Sequence, residues 1–197
     1  MENALKPDTN DSTEKKKTGE QQMFDQLYDQ HKSDVYHFAF YLAKNRGEAE
    51  DLFQDTWLRV ANNFPKTLNM KKVKSWIFTI TSNLYKDSLR KERVRKSFIL
   101  KKMRKLEENS SSAQNSFLTE KSLPTDFSEQ SDLGHAISQA LAKLPDSQRQ
   151  IFVLKEMAGF KHSEISEILK LPVGTVKSVL FRTVKRLRKD LKAYHQG

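Results

Sequence analysis

The residues with the clearest chemical potential lie in one segment near the C-terminus, LPVGTVKSVLFRTVKRLRKD, residues 171–190. Apolar residues recur there at helical spacing, and the polar and basic residues between them fall on the other faces of the helix. Such a helix can bring hydrogen-bond donors and positive charge to a DNA groove. The candidate DNA-contacting residues are Thr175, Lys177, Ser178, Arg182, Lys185 and Arg186.

The residues before this helix indicate how it is presented. A short amphipathic stretch with Ile165, Ile168 and Leu169 comes first, then a tight connection, then Pro172, which suits the first turn of a helix. This is the order of a helix-turn-helix, whose second helix enters the major groove by its N-terminal end. A solvated cationic helix that packs by its apolar stripe is the alternative interpretation.

A second kind of chemistry is indicated by KKVKSWIFTITSNLYKDSLRKERVRK, residues 71–96, where aromatic rings alternate with cations. Unpaired bases stack on such rings for about 1–3 kcal/mol each, and cations neutralise the phosphates. Trp76 shares a stripe with Ile77 and Ile80 and therefore fits a core position. Phe78 and Tyr85 fall off that stripe, so a core role and a stacking role both stay open for them.

Catalytic and metal-binding patterns are absent from the sequence. Five histidines are scattered without metal-ligand spacing, there is no cysteine, and no Gly-rich phosphate loop or nucleophile elbow occurs. We therefore expect no enzyme, no metal, no cofactor and no small-molecule substrate.

The composition limits the classes of molecule that the chain is expected to bind. The chain has 197 residues, 30% of them charged, with a formal net charge of +10 and 37% hydrophobic residues. Such an excess of positive charge favours a polyanionic partner, either nucleic acid or an anionic membrane surface. The first twenty residues lack the apolar core of a signal peptide, and no run approaches the roughly 20 apolar residues of a membrane helix. We expect a cytoplasmic protein without membrane insertion.

Periodicity along the chain predicts an all-α fold, with two small helical domains joined by a flexible linker. Asn45 and Glu48 have capping-box spacing, Pro145 should stop a helix, and Asp146 should cap the next one. Residues 97–107 either extend the preceding helix or begin the linker. The predicted boundaries are a disordered tail at 1–20, a first domain at 21–96, a linker at 97–132 and a second domain at 133–193.

The second domain resembles region 4 of bacterial sigma factors of the extracytoplasmic-function (ECF) group. The resemblance lies in LPDSQR, in EISEIL and above all in PVGTVKSVLFRTVKRLR. It implies binding to a promoter −35 element, with Thr175, Lys177, Ser178 and Arg182 near bases or phosphates. Three positions depart from the family pattern: Lys161 in place of a Ser cap, Lys170 in place of a turn Gly, and Val179 in place of an Arg. A left-handed conformation at Lys170 would cost roughly 1 kcal/mol.

The first domain resembles sigma region 2. AEDLFQDTWLRV is similar to the segment that grips a coiled coil on the β′ subunit of core RNA polymerase, and WIFTITSNLYKDSLRKERVR to the helix that melts and reads the −10 element. Thr79 and Ser82 stand where the family often has Arg. The loop at 62–70 corresponds to the place where the family captures a flipped-out base. The implied single-strand contacts are Asn63, Lys72, Trp76, Phe78, Asn83, Tyr85, Lys86, Arg90 and Arg93, and the implied polymerase contacts are Glu50, Asp51, Leu52, Gln54, Asp55 and Trp57.

Together the two resemblances imply an alternative sigma factor, with core RNA polymerase (the β′ coiled coil and the β flap) and promoter DNA as partners. An anti-sigma factor is a usual further partner in this family. One alternative is a helix-turn-helix regulator that does not address the polymerase. Another is a basic helical protein that binds membranes or RNA.

Overall fold

The computed structural model describes residues 10–64, 70–107 and 132–192, and these residues form helices without a strand. The expected all-α fold class is confirmed. The helices are α1 (Asn10–Leu42), α2 (Arg46–Asn62), α3 (Met70–Glu107), α4 (Asp132–Ala142), α5 (Asp146–Glu156), α6 (His162–Leu169) and α7 (Val173–Asp190).

The first three helices bury one apolar stripe each against the others. The spacing of Leu27, Val35, Phe38 and Leu42 places them on one side of α1, and all four are buried. A polar pair also joins two helices inside this core. The Thr56 hydroxyl of α2 lies 3.3 Å from that of Thr81 in α3, and each also donates to the carbonyl four residues earlier in its own helix.

The ends of these helices agree only partly with the ends predicted from the sequence. Asn45 caps α2 as predicted, because its side chain accepts the Glu48 amide at 2.9 Å. The Glu48 carboxylate reaches back to the Lys44 amide, one residue before the expected Asn45. The prediction of a disordered tail up to residue 20 is wrong for residues 10–20, which belong to α1. Extending a helix adds one hydrogen bond per residue fixed, so a polar segment can continue it without burial.

The predicted linker also begins too early. Residues 97–107 continue α3 without a break, which makes it 38 residues long. The predicted linker residues 108–131 and the predicted tail residues 1–9 lie outside the described residues.

The last four helices form the second unit. Ala140, Leu141 and Leu144 at the end of α4 pack against Leu187 of α7, while α5 and α6 bury Ile151, Leu154, Ile165 and Ile168. The helix that Pro145 should stop, α4, ends at Ala142, three residues earlier, and Pro145 stands at the N-cap of α5. The prediction for Asp146 is wrong: α5 has no side-chain cap, and the Asp146 carboxylate accepts hydrogen bonds from Arg149 and from Tyr85 of α3 instead.

The two units pack on each other, which the sequence did not indicate. α1 contacts α5, and α3 contacts α6. The Phe78 ring lies between Phe38 of its own unit and Phe160 of the other. Its centroid is 5.1 Å from that of Phe38 and 4.9 Å from that of Phe160. Lys74 donates to the Ala158 carbonyl and Lys86 to the Leu169 carbonyl. The apolar core therefore runs without interruption from one unit into the other.

Candidate nucleic-acid interface

The turn between α6 and α7 sets the direction of the candidate reading helix. Lys170 adopts the left-handed conformation, with φ 56° and ψ 48°, as expected for the position. The Leu171 amide then donates to the Ser166 carbonyl at 3.0 Å, and the Ser166 hydroxyl donates to the Leu171 carbonyl. These bonds close the end of α6 and bring the chain directly into α7 at Val173.

The predicted separation of faces on α7 is present. Val176, Thr183 and Leu187 are buried, and Leu180 and Val184 are half-buried beside them. All six candidate residues of this helix are exposed: Thr175, Lys177, Ser178, Arg182, Lys185 and Arg186. We call these six residues the α7 outer face. A Cβ added at Gly174, at the helix start, would meet no heavy atom of a neighbouring group within 4 Å, so this end of the helix is slim and open.

Some side chains of the α7 outer face already have partners. The Ser178 hydroxyl donates to the Thr175 carbonyl at 3.0 Å, and the Arg182 Nε to the Ser178 carbonyl at 3.3 Å. The Arg186 guanidinium donates to the Lys143 carbonyl near the end of α4, and its Nε lies 3.9 Å from Asp190. Arg186 thus ties α7 to the rest of its unit, whereas the first turns of the helix remain accessible.

Sequence reasoning missed Phe181. It lies between the α7 outer-face residues Lys177 and Arg182 and is 71% exposed. Its position off the apolar stripe could have singled it out, because the helical period places its ring among the polar residues of α7. An apolar side chain in this place can contact a thymine methyl group in the major groove.

The candidate single-strand residues fall into two groups in the structure. Lys72, Asn83, Arg90 and Arg93 are exposed on α3, and Arg90 lies 3.4 Å from Asp87. Asn63 is also exposed, and its side-chain amide donates to the Arg59 carbonyl at the end of α2. Trp76 is half-buried and packs against the core, in line with its place on the apolar stripe.

The expectation that Phe78 and Tyr85 offer accessible rings is not met in this arrangement. Phe78 is 0% exposed and Tyr85 is buried, and both meet residues of the second unit. Burial also affects Lys86, whose pKa is lowered by desolvation and by the nearby Lys170 charge. These three residues can reach DNA only if α3 moves away from α5 and α6.

A buried polar cluster holds this contact. The Tyr85 hydroxyl donates to the Asp146 carboxylate at 3.0 Å, and the Arg149 guanidinium donates to both at 2.8 Å. Burial raises the pKa of Tyr85 well above its ordinary value, and the Arg149 charge opposes that rise. Arg149 is almost fully buried whereas Asp146 is partly exposed, so the guanidinium depends on this carboxylate to offset the loss of its contact with water.

The candidate polymerase contacts on α2 are also divided. Asp51, Gln54 and Asp55 are exposed, and Glu50 is half-buried with its carboxylate 2.8 Å from Arg46. The assignment of Leu52 and Trp57 to a contact surface is wrong for this arrangement, because both are buried in the α1–α3 core. Leu58, which sequence reasoning missed, is 61% exposed. It lies one or two turns from Asp51, Gln54 and Asp55 and therefore shares their face. We call these four residues the α2 face.

Within the described ranges, no three His, Asp or Glu side chains come together in a way that could hold a metal ion. Among the described helices, none combines the length and apolar composition needed to cross a lipid bilayer.

Comparison with known proteins connects both units to one family. The family model described as Sigma-70 region 2 matches residues 27–95, and the one described as Sigma-70, region 4 matches residues 134–187. The ECF RNA polymerase sigma factor SigW of Bacillus subtilis is 31% identical over 176 residues, which covers 89% of this chain and 92% of the relative. This chain belongs to the ECF RNA polymerase sigma factors. It is an alternative sigma factor and acts in transcription initiation.

Further relatives and solved structures agree with this assignment. The ECF sigma factor SigX of Bacillus subtilis is 26% identical over 171 residues, 87% of this chain and 84% of the relative. The fold of this ECF sigma factor is similar to that of the sigma factor RpoE from Bartonella quintana, with a TM-score of 0.59 and 24% identity over 86% of this chain and 96% of that one. It is also similar to that of CnrH, with a TM-score of 0.58 and 19% identity over 89% and 92% of the two chains.

Proposed function

We propose that this sigma factor joins core RNA polymerase and contacts promoter DNA through two chemically different surfaces. The α7 outer face reads the intact −35 duplex, and the exposed residues of α3 hold the separated −10 strand. The observation that carries the proposal is the exposure of all six α7 residues on a helix that is open at its start and fixed by its other face.

The −35 contact rests on the start of α7. The amides of the first helical turn have no partners within the helix and favour a phosphate, which would fix the depth of insertion. Thr175, Lys177 and Ser178 then lie nearest the base edges, followed by Arg182 one turn later. Half-buried Val179 packs against the core, which agrees with the loss of the DNA contact that Arg makes at this position in the family.

The −10 contact requires a second conformation. Lys72, Asn83, Arg90 and Arg93 are accessible now, whereas Phe78, Tyr85 and Lys86 are covered by the second unit. We therefore assign the described arrangement to the sigma factor before it engages a promoter. DNA that binds only the separated form shifts the population toward it by its differential affinity.

The polymerase contact belongs to the α2 face. Its carboxylates, Asp51 and Asp55, would be repelled by DNA phosphates and suit a basic or mixed protein surface. Leu58 adds an exposed apolar side chain to the same face. The sigma factor itself makes no covalent bond in this scheme, because RNA synthesis belongs to the polymerase.

A regulatory partner is part of the proposal. The RpoE and CnrH structures are complexes, the first with the anti-sigma factor NepR and the second with the cytosolic domain of CnrY. We extend this to the present chain and propose that an anti-sigma factor binds it and blocks its use by the polymerase.

Run-off transcription with core polymerase on a promoter library tests the function. The sigma factor should confer initiation at defined start sites, and initiation at random sites would contradict the proposal. On the selected promoter, Lys177→Ala combined with Arg182→Ala should weaken binding to the −35 element by about 30-fold or more, because each of the two base contacts contributes about 1–3 kcal/mol. Unchanged affinity would remove the α7 outer face from the reading surface. Lys189→Ala, also exposed on α7 but at its far end, is the matched control.

A further inference from the structure

Lys74 is a cation at which the two units meet. Its ammonium group donates to the Ala158 carbonyl of the second unit at 3.1 Å and lies 2.7 Å from the Asp34 carboxylate of α1. It also lies 5.9 Å from the ring centre of Phe78 and 5.5 Å from that of Phe160. One side chain of α3 therefore holds a carbonyl and a ring of the second unit together with two groups of the first.

A buried histidine lies near this cation. His31 of α1 is 5% exposed, and its Nε2 atom is buried without a hydrogen-bond partner among the described residues. Two charged groups act on the imidazole, Lys74 from α3 and Asp34 from the next turn of α1. The second unit adds the uncharged Ala158 carbonyl and the Phe160 ring at Lys74. Burial and the Lys74 charge lower the pKa of His31, and the Asp34 charge offsets them only in part.

The neutral imidazole is the form that this site accepts. A charged His31 would place two cations, the imidazolium and Lys74, beside a single carboxylate that Lys74 already occupies. Protonation would therefore leave an excess of positive charge where Lys74 holds the second unit, in partly buried surroundings that strengthen the repulsion. Separation of the units would relieve it, because Lys74 could turn to water once the Ala158 carbonyl and the Phe160 ring had left.

We propose that protonation of His31 opens the contact between the two units, so that this sigma factor responds directly to acidification of its surroundings. The inference rests on the proposed function, because opening is the step that frees Phe78, Tyr85 and Lys86 for the separated −10 strand. It adds proton concentration as a regulatory input that acts without a partner protein.

The direction of the pH dependence follows from the two forms of the molecule. In the closed form the pKa of His31 is lowered, whereas in the open form it approaches its ordinary value of about 6.5, since Lys74 is free to move away. Closure therefore has its full stability above about pH 6.5 and loses stability as the pH falls from there toward the lowered pKa. One proton can raise the ratio of open to closed molecules by at most about tenfold between pH 7.5 and pH 5.5.

The test follows the contact between the units in the complete chain as the pH is changed. Since the chain has no cysteine, dyes on Gln54→Cys in α2 and Lys189→Cys in α7, both exposed positions, report the separation of the units. Energy transfer should fall from pH 7.5 to pH 5.5 while the circular dichroism spectrum stays unchanged. His31→Phe, which takes up no proton and leaves no unpartnered buried nitrogen, should keep energy transfer constant over this range. His31→Gln, a neutral polar side chain, should do the same.

Two further variants locate the effect. His37→Gln is the matched control, because it removes another histidine of α1, one that lines the cavity between the units with Asp34 and Ala158; it should retain the full pH response. Lys74→Met should show lower energy transfer already at pH 7.5, since the bond to the Ala158 carbonyl is lost. It should also respond less to acid, since the cation that His31 repels is gone.

Several results would overturn the proposal. They are a pH response that persists in both His31 variants, one that disappears in His37→Gln, and one that is undiminished in Lys74→Met. Loss of helical circular dichroism at pH 5.5 would do so as well, because the proton would then unfold a unit instead of separating two. Run-off transcription with core polymerase at pH 7.5 tests the proposed function separately. Failure of initiation there would remove the function, whereas energy transfer decides the response to pH.

Discussion

Phe160 is the residue whose truncation tests the closed arrangement most sharply. Its buried ring lies edge-on to Phe78 of the first unit, and the Lys74 ammonium group lies 5.5 Å from the ring centre. Full burial of a Phe side chain is worth about 1.5–3 kcal/mol, and an aromatic pair adds about 0.5–1.5 kcal/mol. Part of this energy stays within the second unit, so Phe160→Ala should weaken the contact between units by about 1–2 kcal/mol. That change raises the ratio of open to closed molecules about 5- to 30-fold.

Two assays measure this shift. Since the chain has no cysteine, dyes can be attached through Gln54→Cys in α2 and Lys189→Cys in α7, both exposed positions. Phe160→Ala should lower energy transfer between the dyes. It should also raise the affinity for a single-stranded −10 oligonucleotide by up to the same 5- to 30-fold, because binding competes with closure. Phe181→Ala is the matched control, since it removes an exposed ring that does not lie in the contact. Unchanged transfer and unchanged oligonucleotide affinity in Phe160→Ala would refute the closed arrangement as the resting form.

Three further predictions concern single sites. In urea unfolding, Lys170→Gly should have a free energy of unfolding about 1 kcal/mol higher than Lys170→Ala. Both changes remove the charge, but only Gly relieves the strain of the left-handed conformation. Equal free energies of unfolding would contradict the presence of this strain. Asp51→Arg combined with Asp55→Arg should reduce co-purification with core polymerase at least tenfold with an unchanged circular dichroism spectrum, and retained binding would exclude the α2 face. Tyr85 should ionise at a higher pH than an ordinary tyrosine in an absorbance titration, because its pKa is raised. The contact between the units should therefore be complete below about pH 10 and be lost as the pH rises further. Tyr85→Phe should remove this late ionisation step, and a titration identical to that of the unchanged protein would assign the step to another tyrosine.

Much of the fold could be predicted from local pattern. The apolar spacing of α1, α2 and α7 is enough to indicate the helices and their buried sides, and Asn45 is recognisable as a cap from residue type and spacing. The turn at Lys170 was expected from the family resemblance, because the family usually has Gly at this position. These features depend on residues that are close in sequence, where propensity and periodicity act.

The contact between the two units could not be predicted in this way. Phe78 lies off the main stripe of α3 because it faces a different neighbour, Phe160, which follows 82 residues later in the chain. Periodicity reports that a side chain is apolar and on which face it lies, but not which distant surface covers it. For the same reason Asp146 was predicted as a cap, although its carboxylate serves Tyr85 and Arg149 across the contact.

The ends of helices that simply extend an existing helix could not be predicted from the sequence either. Residues 10–20 contain no large apolar residue that a core could bury, so composition indicates a tail. Residues 97–107 adjoin a polar, linker-like segment, and the sequence left them open between helix and linker. Both continue an existing helix, where the cost of nucleation has already been met. The candidate site follows the same division: the α7 outer face was predictable, whereas the accessibility of the α3 rings depends on tertiary packing.

The measurement that tests the central claim most directly is permanganate footprinting of a promoter selected by run-off transcription, with and without core polymerase. The sigma factor that reads duplex with α7 and holds a separated strand with α3 should make thymines in the −10 element reactive only when core enzyme is present. Reactive thymines that appear with core enzyme should diminish when Asn83 and Arg90 are both changed to Ala, because these exposed α3 residues hold the open strand. Protection of the promoter by the chain alone, with no opening when core enzyme is added, would contradict the account.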